Sequence, residues 1–391
     1  MRVVTDERGA VAVMVAFLIV PLIGFGALAV DVSSLYQEKR ELQNGADSAS
    51  LAVAKDCATA TGCIPSIAQS YADSNADDGR SGVDEVCGTG AGIPVCADPP
   101  TVPAGTKYVR VTTDTFQVGG ADPEQMNFIL APVLELIAAG DFDGKAVEAS
   151  AVAAWGPPSG AATLPLTFSQ CEFNKAIAVN PLQTGPNYTG DPSVIYFHGT
   201  DSADIGCGAT SPGGDFPGGF GWLGDEEATE CGSTIDEQQW VGDKTGLGLP
   251  CKKTVLDALL HDGEVGKTVL LPIFDECRLN SGGSCVPGSN GEYHIVGFAA
   301  FHITGFNFSG LEWNMKKCPA VVLNSAEDQV QVDAPVVPGE SKGPKGPEEP
   351  KDPKPSGDDR CIEGYFTKFV TTGDAFGSDN DMGVTIIKLV G

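Results

Sequence analysis

Positive charge is what this 391-residue chain most conspicuously lacks: 24 lysines and arginines stand against 52 aspartates and glutamates, a formal net charge of −28. Binding phosphates needs a cationic surplus, so nucleic acid is excluded as a partner. Histidine is scarcer still, with only His198, His261, His294 and His302. No cysteine precedes residue 57 and none is spaced Cys-x-x-Cys, which removes the usual zinc and dithiol-redox patterns. No Gly-x-Ser-x-Gly stands out as the nucleophile elbow of many hydrolases. The stretch Gly263-Glu264-Val265-Gly266-Lys267-Thr268 lacks the first glycine of a phosphate loop, His261 standing in its place, and the apolar residues after it read as a strand rather than a helix.

What the chain does have is 50 glycines, 27 prolines and only 19% charged residues, a composition of many turns and few surface helices. It also has 22 consecutive residues without a charge, Gly9 to Val30. As a helix they span about 33 Å, enough to cross the bilayer core. Pro21 lies inside the run and is tolerated in a membrane helix. Three fates fit the segment. It is a retained anchor, or a secretory signal cut after Ala27-Leu28-Ala29, or a prepilin-type substrate cut after Gly9. Against the last, Met14 stands where prepilins usually carry Glu. The retained anchor is the expectation adopted, although whether the segment is cleaved stays open.

Basic residues do not orient the span, since Arg2 and Arg8 precede it and Lys39 and Arg40 follow it. The twelve cysteines do: all lie beyond the span, and an even number after an export segment reads as disulfides in an oxidising compartment. Proximity suggests Cys57 with Cys63, Cys87 with Cys96 and Cys277 with Cys285, while a C-terminal return of the chain suggests Cys318 with Cys361.

After the span, Val32, Leu35, Lys39, Leu42, Ala46, Ala49 and Val53 recur at helical steps, so the helix continues with a narrow apolar stripe. Leu35, Leu42, Ala46, Ala49 and Val53 are the candidate partner-contact residues. The stripe either packs on partner subunits or is covered by this protein's own ectodomain.

The strings Asp6-Glu7-Arg8-Gly9-Ala10-Val11-Ala12-Val13, Ala29-Val30-Asp31-Val32, Leu35-Tyr36 and Glu41 to Ala49 resemble the N-terminal region of TadG-like proteins of Flp (Tad) pilus assembly. The resemblance covers the first 56 residues closely and Ala149 to Pro158 more loosely. It implies a membrane-anchored component of the pilus and secretion machinery, with Tad/Flp pilus components as partners. Some such proteins carry a von Willebrand type A metal site, but Asp31-Val32-Ser33-Ser34-Leu35 lacks its final serine, so no metal site is carried over.

The expected fold class is α+β, with residues 1–8 cytoplasmic, 9–30 transmembrane and 31–56 a stalk helix. Residues 57–156 form a small α+β module with Cys-rich loops, and 161–333 a larger β-rich barrel or sandwich. Pro-rich 334–360 is a disordered insertion, and 361–391 a strand returning to the β-rich domain. Expected helices are Ile67 to Ala76 and Pro123 to Ala139. Expected strands are Lys107 to Val118, Ala146 to Trp155, Leu164 to Phe168, Lys175 to Val179, Val194 to Phe197, Lys267 to Phe274, Tyr293 to Phe308 and Tyr365 to Val370. Gly297 suggests a hairpin or bulge within the stretch carrying His294 and His302. No catalytic residue, cofactor, metal or small-molecule substrate is assigned. The functional expectation is a single-pass, non-enzymatic component with its bulk outside the cytoplasm; the alternatives are a surface binding protein or adhesin, and an exported hydrolase.

Overall fold

In the computed structural model, the uncharged run and the stripe after it form one helix, α1 (Arg8–Thr59). Its 52 residues rise about 78 Å, and it continues through Pro21. The structure describes residues 8–60, 62–115, 147–197, 222–223, 231–244, 253–263, 265–279, 291–308, 310–318, 322–323, 330–331, 360–378 and 380–390. The expected helix at Pro123 to Ala139, the Pro-rich insertion (save its last residue, Arg360) and His198 lie outside these residues. The chain divides into two compact units, the first comprising 1–103, 107–155 and 387–391, the second 104–106 and 156–386.

Unit 1 contains α1, α2 (Ile67–Asp73) and an antiparallel sheet of β1 (Gly82–Gly88), β2 (Lys107–Asp114) and β3 (Glu148–Gly156), with β2 in the middle. Alternation along β2 turns Val109, Val111 and Thr113 inward, and the core joins Ala49, Val53 and Ala54 of α1 to Ala68, Ile93, Val109, Val111, Ala153 and Trp155. The seam between α1 and α2 is built from small residues: a Cβ at Gly45 would stand 3.4 Å from the Ala72 Cα, so the two backbones approach closely only because neither presents a large side chain. Cys57–Cys63 and Cys87–Cys96 are disulfides. Residues 387–391, expected in the β-rich domain with the rest of 361–391, belong to unit 1; Ile387 packs on its core and the Val390 N–H donates to the Val152 carbonyl at 2.9 Å.

Unit 2 is β-rich. Its strands are β4 (Gly160–Thr163), β5 (Phe168–Ser169), β6 (Ser193–Phe197), β7 (Trp222–Leu223), β8 (Ser233–Asp236), β9 (Trp240–Lys244), β10 (His261–Asp262) and β11 (Val265–Gly266). There follow β12 (Thr268–Leu279), β13 (Gly291–Phe308), β14 (Leu311–Trp313), β15 (Val322–Leu323), β16 (Val330–Gln331), β17 (Arg360–Thr367), β18 (Phe369–Val370) and most of β19 (Val384–Leu389). The 18-residue β13 is the spine of a half-barrel sheet, antiparallel to β12, β9 and β17. Both faces of β13 are apolar. Phe301, Ile303, Phe306 and Phe308 enter one core with Phe168, Leu271 and Phe366; Tyr293, Ile295, Phe298 and Ala300 enter another with Phe274 and Ile235. Burial of both faces explains why β13 reads as a continuous apolar run rather than an alternation. The α+β class with a β-rich, disulfide-stapled larger part is thus the observed one.

One local expectation is corrected. Lys175 to Val179 is not a strand but the end of helix α3 (Gln170–Val179). Its start is a capping box: the Ser169 side chain accepts from the Glu172 N–H and stands 3.5 Å from the Glu172 carboxylate, a Ser-x-x-Glu signature that outweighs the short β-leaning stretch behind it. The second helix of this unit, α4 (Lys253–Leu260), buries Leu256 and Leu260 and was not foreseen. Of the hairpin or bulge expected at Gly297, the structure has the bulge: β13 is one strand, in which Ile273 pairs with Gly297 but Phe274 with Ile295.

Candidate functional site

The site that distinguishes this molecule is α1 itself, which changes character along its length. Its upper part is buried in unit 1. Leu42 is 2% exposed and Ala46, Ala49 and Val53 are fully covered, while Leu35 is half-buried. The Leu42 carbonyl accepts from the Thr113 hydroxyl at 2.9 Å, and Gln43 donates to the Ser150 carbonyl at 3.3 Å. Of the two uses open to the stripe, this is coverage by the protein's own unit 1, so Leu42, Ala46, Ala49 and Val53 are buried within the chain itself. Ala49→Leu is accordingly expected to lower the unfolding free energy of unit 1 by about 1–3 kcal/mol through overpacking, read by urea titration. Unchanged stability with lost pilus association would return the stripe to a partner.

The lower part is uncovered. Val11, Met14, Phe17, Leu18, Leu22, Ile23 and Phe25 are all exposed, Phe17 and Phe25 by 76% and 74%. Leaving a large apolar side chain in water rather than burying it forfeits roughly 1.5–3 kcal/mol. Five of them together forfeit on the order of 10 kcal/mol, comparable with the whole stability of a domain. That surface therefore requires an apolar environment, and the helix is long and apolar enough to cross a membrane.

Residues 9–56 match the Flp pilus-assembly TadE/G-like family model. No curated protein and no solved structure matches the chain. The TadE/G-like segment coincides with α1 almost end to end, taking in both the uncovered apolar part and the part built into unit 1. Segment and helix together support a membrane-anchored component of a Tad/Flp-type pilus system.

Beyond the TadE/G-like segment, the described histidines are held apart in three separate settings. His294 and His302 are an even number of residues apart on β13, yet the bulge at Val296 reverses the alternation: Tyr293 and Ile295 share a core with Phe298 and Ala300. The two imidazoles therefore lie on opposite faces of the strand. His294 Nδ1 is 2.8 Å from the Asp275 carboxylate, and its ring is 5.0 Å from Trp240, over which the Arg278 guanidinium stacks at 4.1 Å. His261 lies 2.9 Å from the Asp257 carboxylate and stacks on Trp313 at 4.7 Å. Gly266 and Thr268 are strand residues of β11 and β12, and Lys267 donates to the Ala258 carbonyl, so the Gly-Lys-Thr string opens no helix. Among the described residues no cluster of three or more histidines, cysteines or carboxylates is poised to hold a metal ion.

His302 Nδ1 is 3.1 Å from the Thr268 hydroxyl, and the ring stacks on Tyr188 at 4.3 Å, with Tyr188 in turn 5.1 Å from Tyr365. Burial holds its pKa below the ordinary histidine value, so the fold favours the neutral ring. The unfolded chain takes up this proton below about pH 6.5. Stability contributed near neutrality is then lost as pH falls through 6.5 toward the lowered native value. His302→Phe, which keeps the stack, should flatten that part of the urea-midpoint profile between pH 7.5 and 5; a parallel profile would remove His302 as a cause.

The remaining cysteine assignments are these. Cys318–Cys361 is a disulfide, with Cα atoms 5.8 Å apart. Cys171, Cys231 and Cys277 are disulfide-bonded as well; Cys285, expected with Cys277, lies outside the described residues.

Proposed function

We propose that this protein is a non-enzymatic, single-pass component of a Tad/Flp-type pilus assembly or secretion system, holding a disulfide-stapled two-unit ectodomain on the outer side of the membrane. The observation that carries the reading is the continuity of α1: one helix joins an uncovered apolar length to a half built into unit 1, and the TadE/G-like match spans both. Such a connection transmits position, because a helix that is part of a folded core cannot swivel like a flexible linker. The placement outside the cytoplasm is supported by the nine described cysteines, all of which are disulfide-bonded, a state that persists in oxidising compartments.

The test is deletion of the gene together with affinity purification of the full chain from detergent-solubilised envelopes. Loss of surface pili and co-purification of other Tad components are the expected results. Normal piliation with no Tad component retained overturns the assembly role. Thiol-reactive polymer labelling before and after reduction, on intact cells, reads the orientation: labelling only after reduction from outside is expected, and labelling without reductant in the cytosol overturns it.

A further inference from the structure

The uncharged run ends at Asp31, but the apolar surface of α1 does not. Asp31 is 5% exposed, so the first carboxylate after the run is turned into protein rather than toward the surroundings. On the uncovered side, Leu18, Leu22, Phe25, Val32 and Tyr36 form a stripe at three-, four- and seven-residue steps, with Val32 41% and Tyr36 68% exposed. The Ser34 hydroxyl is spent on the Val30 carbonyl at 3.1 Å, and Arg40 is exposed one turn beyond Tyr36 on the same side. Acidic groups are gathered elsewhere. Glu41 accepts from Gln37 at 3.0 Å and from the Asp77 backbone N–H at 3.0 Å.

We infer that the α1 face carrying Val32, Tyr36 and Arg40 lies in the phospholipid headgroup layer, so that the protein meets the bilayer at Tyr36 rather than at Asp31. Length fits this placement: Gly9 to Val30 covers the hydrocarbon core, and Tyr36 lies about 9 Å further along the helix, within and just past a headgroup layer of roughly 5–8 Å. The direction of the side chains fits as well. Helical side chains lean toward the N-terminus, which brings the Tyr36 ring back toward the membrane, where an amphipathic phenol is favoured. Arg40 can lower its guanidinium along its own stem toward lipid phosphate, and it stands opposite Glu38 and Glu41, which a phosphate surface would repel. Unit 1 then sits on the membrane with no free stalk beneath it. A second copy of the chain is the rival occupant of this face, and cross-linking distinguishes it from lipid.

The inference rests on the anchor reading, and the experiment separates the two. The full chain carrying p-benzoylphenylalanine in place of Phe25, Tyr36 or Asn44 is reconstituted in vesicles of phosphatidylcholine and phosphatidylglycerol, irradiated and analysed by mass spectrometry. Lipid adducts at 25 and 36, many-fold above those at the exposed Asn44 position, are expected. Adducts at 25 with none at 36, or with cross-links from 36 to a second copy, overturn the headgroup placement alone. Absence of lipid adducts at both overturns the anchor and this inference together.

Discussion

Leu18→Arg combined with Leu22→Arg is expected to abolish stable insertion of the protein into the membrane. Both side chains are exposed on the uncovered part of α1, by 65% and 72%. Each arginine near a helix centre costs about 3 kcal/mol where leucine contributes favourably by about 0.5, so the pair shifts insertion by roughly 7 kcal/mol, on the order of a hundred-thousand-fold. Alkaline carbonate extraction of envelopes reads the result: the natural chain stays in the pellet, and the double variant appears in the supernatant or is degraded. A double variant that remains carbonate-resistant would show that the segment is not what holds the protein. The paired control is Val32→Arg, on the same side but at the interface. There the helical cost falls steeply and the side chain reaches headgroups, so retention should persist.

What was legible from the sequence follows a simple physical line. Features dictated locally could be read: the uncharged run, the alternation of β2, the short-range disulfides, and the change of composition at Gly156-Pro157-Pro158. Features dictated by what packs from elsewhere could not. The stripe of Leu42, Ala46, Ala49 and Val53 announces that one face of α1 is covered, but a helical period does not say by whom, and α2 with the β2 sheet supplies the answer. Asp31 looks from sequence like the charge that ends a span, and only tertiary burial shows that it faces away. In β13, Gly297 carried the ordinary signal of a hairpin or a bulge. The bulge is what packing selects: a Cβ there would crowd the Met382 sulfur at 3.2 Å, and the strand runs on. Parity along that strand is therefore broken, and even spacing of His294 and His302 has no meaning as a shared face. The Ser-x-x-Glu signal at Ser169 and Glu172 would have identified α3, and the four-residue step from Leu256 to Leu260 would have pointed to α4.

Removal of the Cys318–Cys361 bridge, by Cys318→Ser with Cys361→Ser, should weaken unit 2 about as much as a large core truncation. Cys361 lies at zero exposure in β17, beside Met315 and Cys318, and β17 lies between β13 and β6. With a sequence separation of 43 between the two positions, including the Pro-rich stretch, the chain-entropy account gives about 4 kcal/mol for the cross-link, of which 2–4 is the usual yield. Urea unfolding followed by amide exchange of β13 and β17 should show that loss, with the exchange of β2 and β3 unchanged. The entropic origin can be separated from lost packing by shortening the gap. Deleting residues 334–358 from the serine variant leaves a closure of 43 − 25 = 18 positions, which recovers roughly 0.8 kcal/mol if loop closure is the cause. No recovery would place the effect in the Met315–Cys318–Cys361 packing instead. Full stability in the serine variant would mean that the ladders to β13 and β6 hold β17 without help, leaving the bridge with no part in joining the chain's last strands to the β-rich unit.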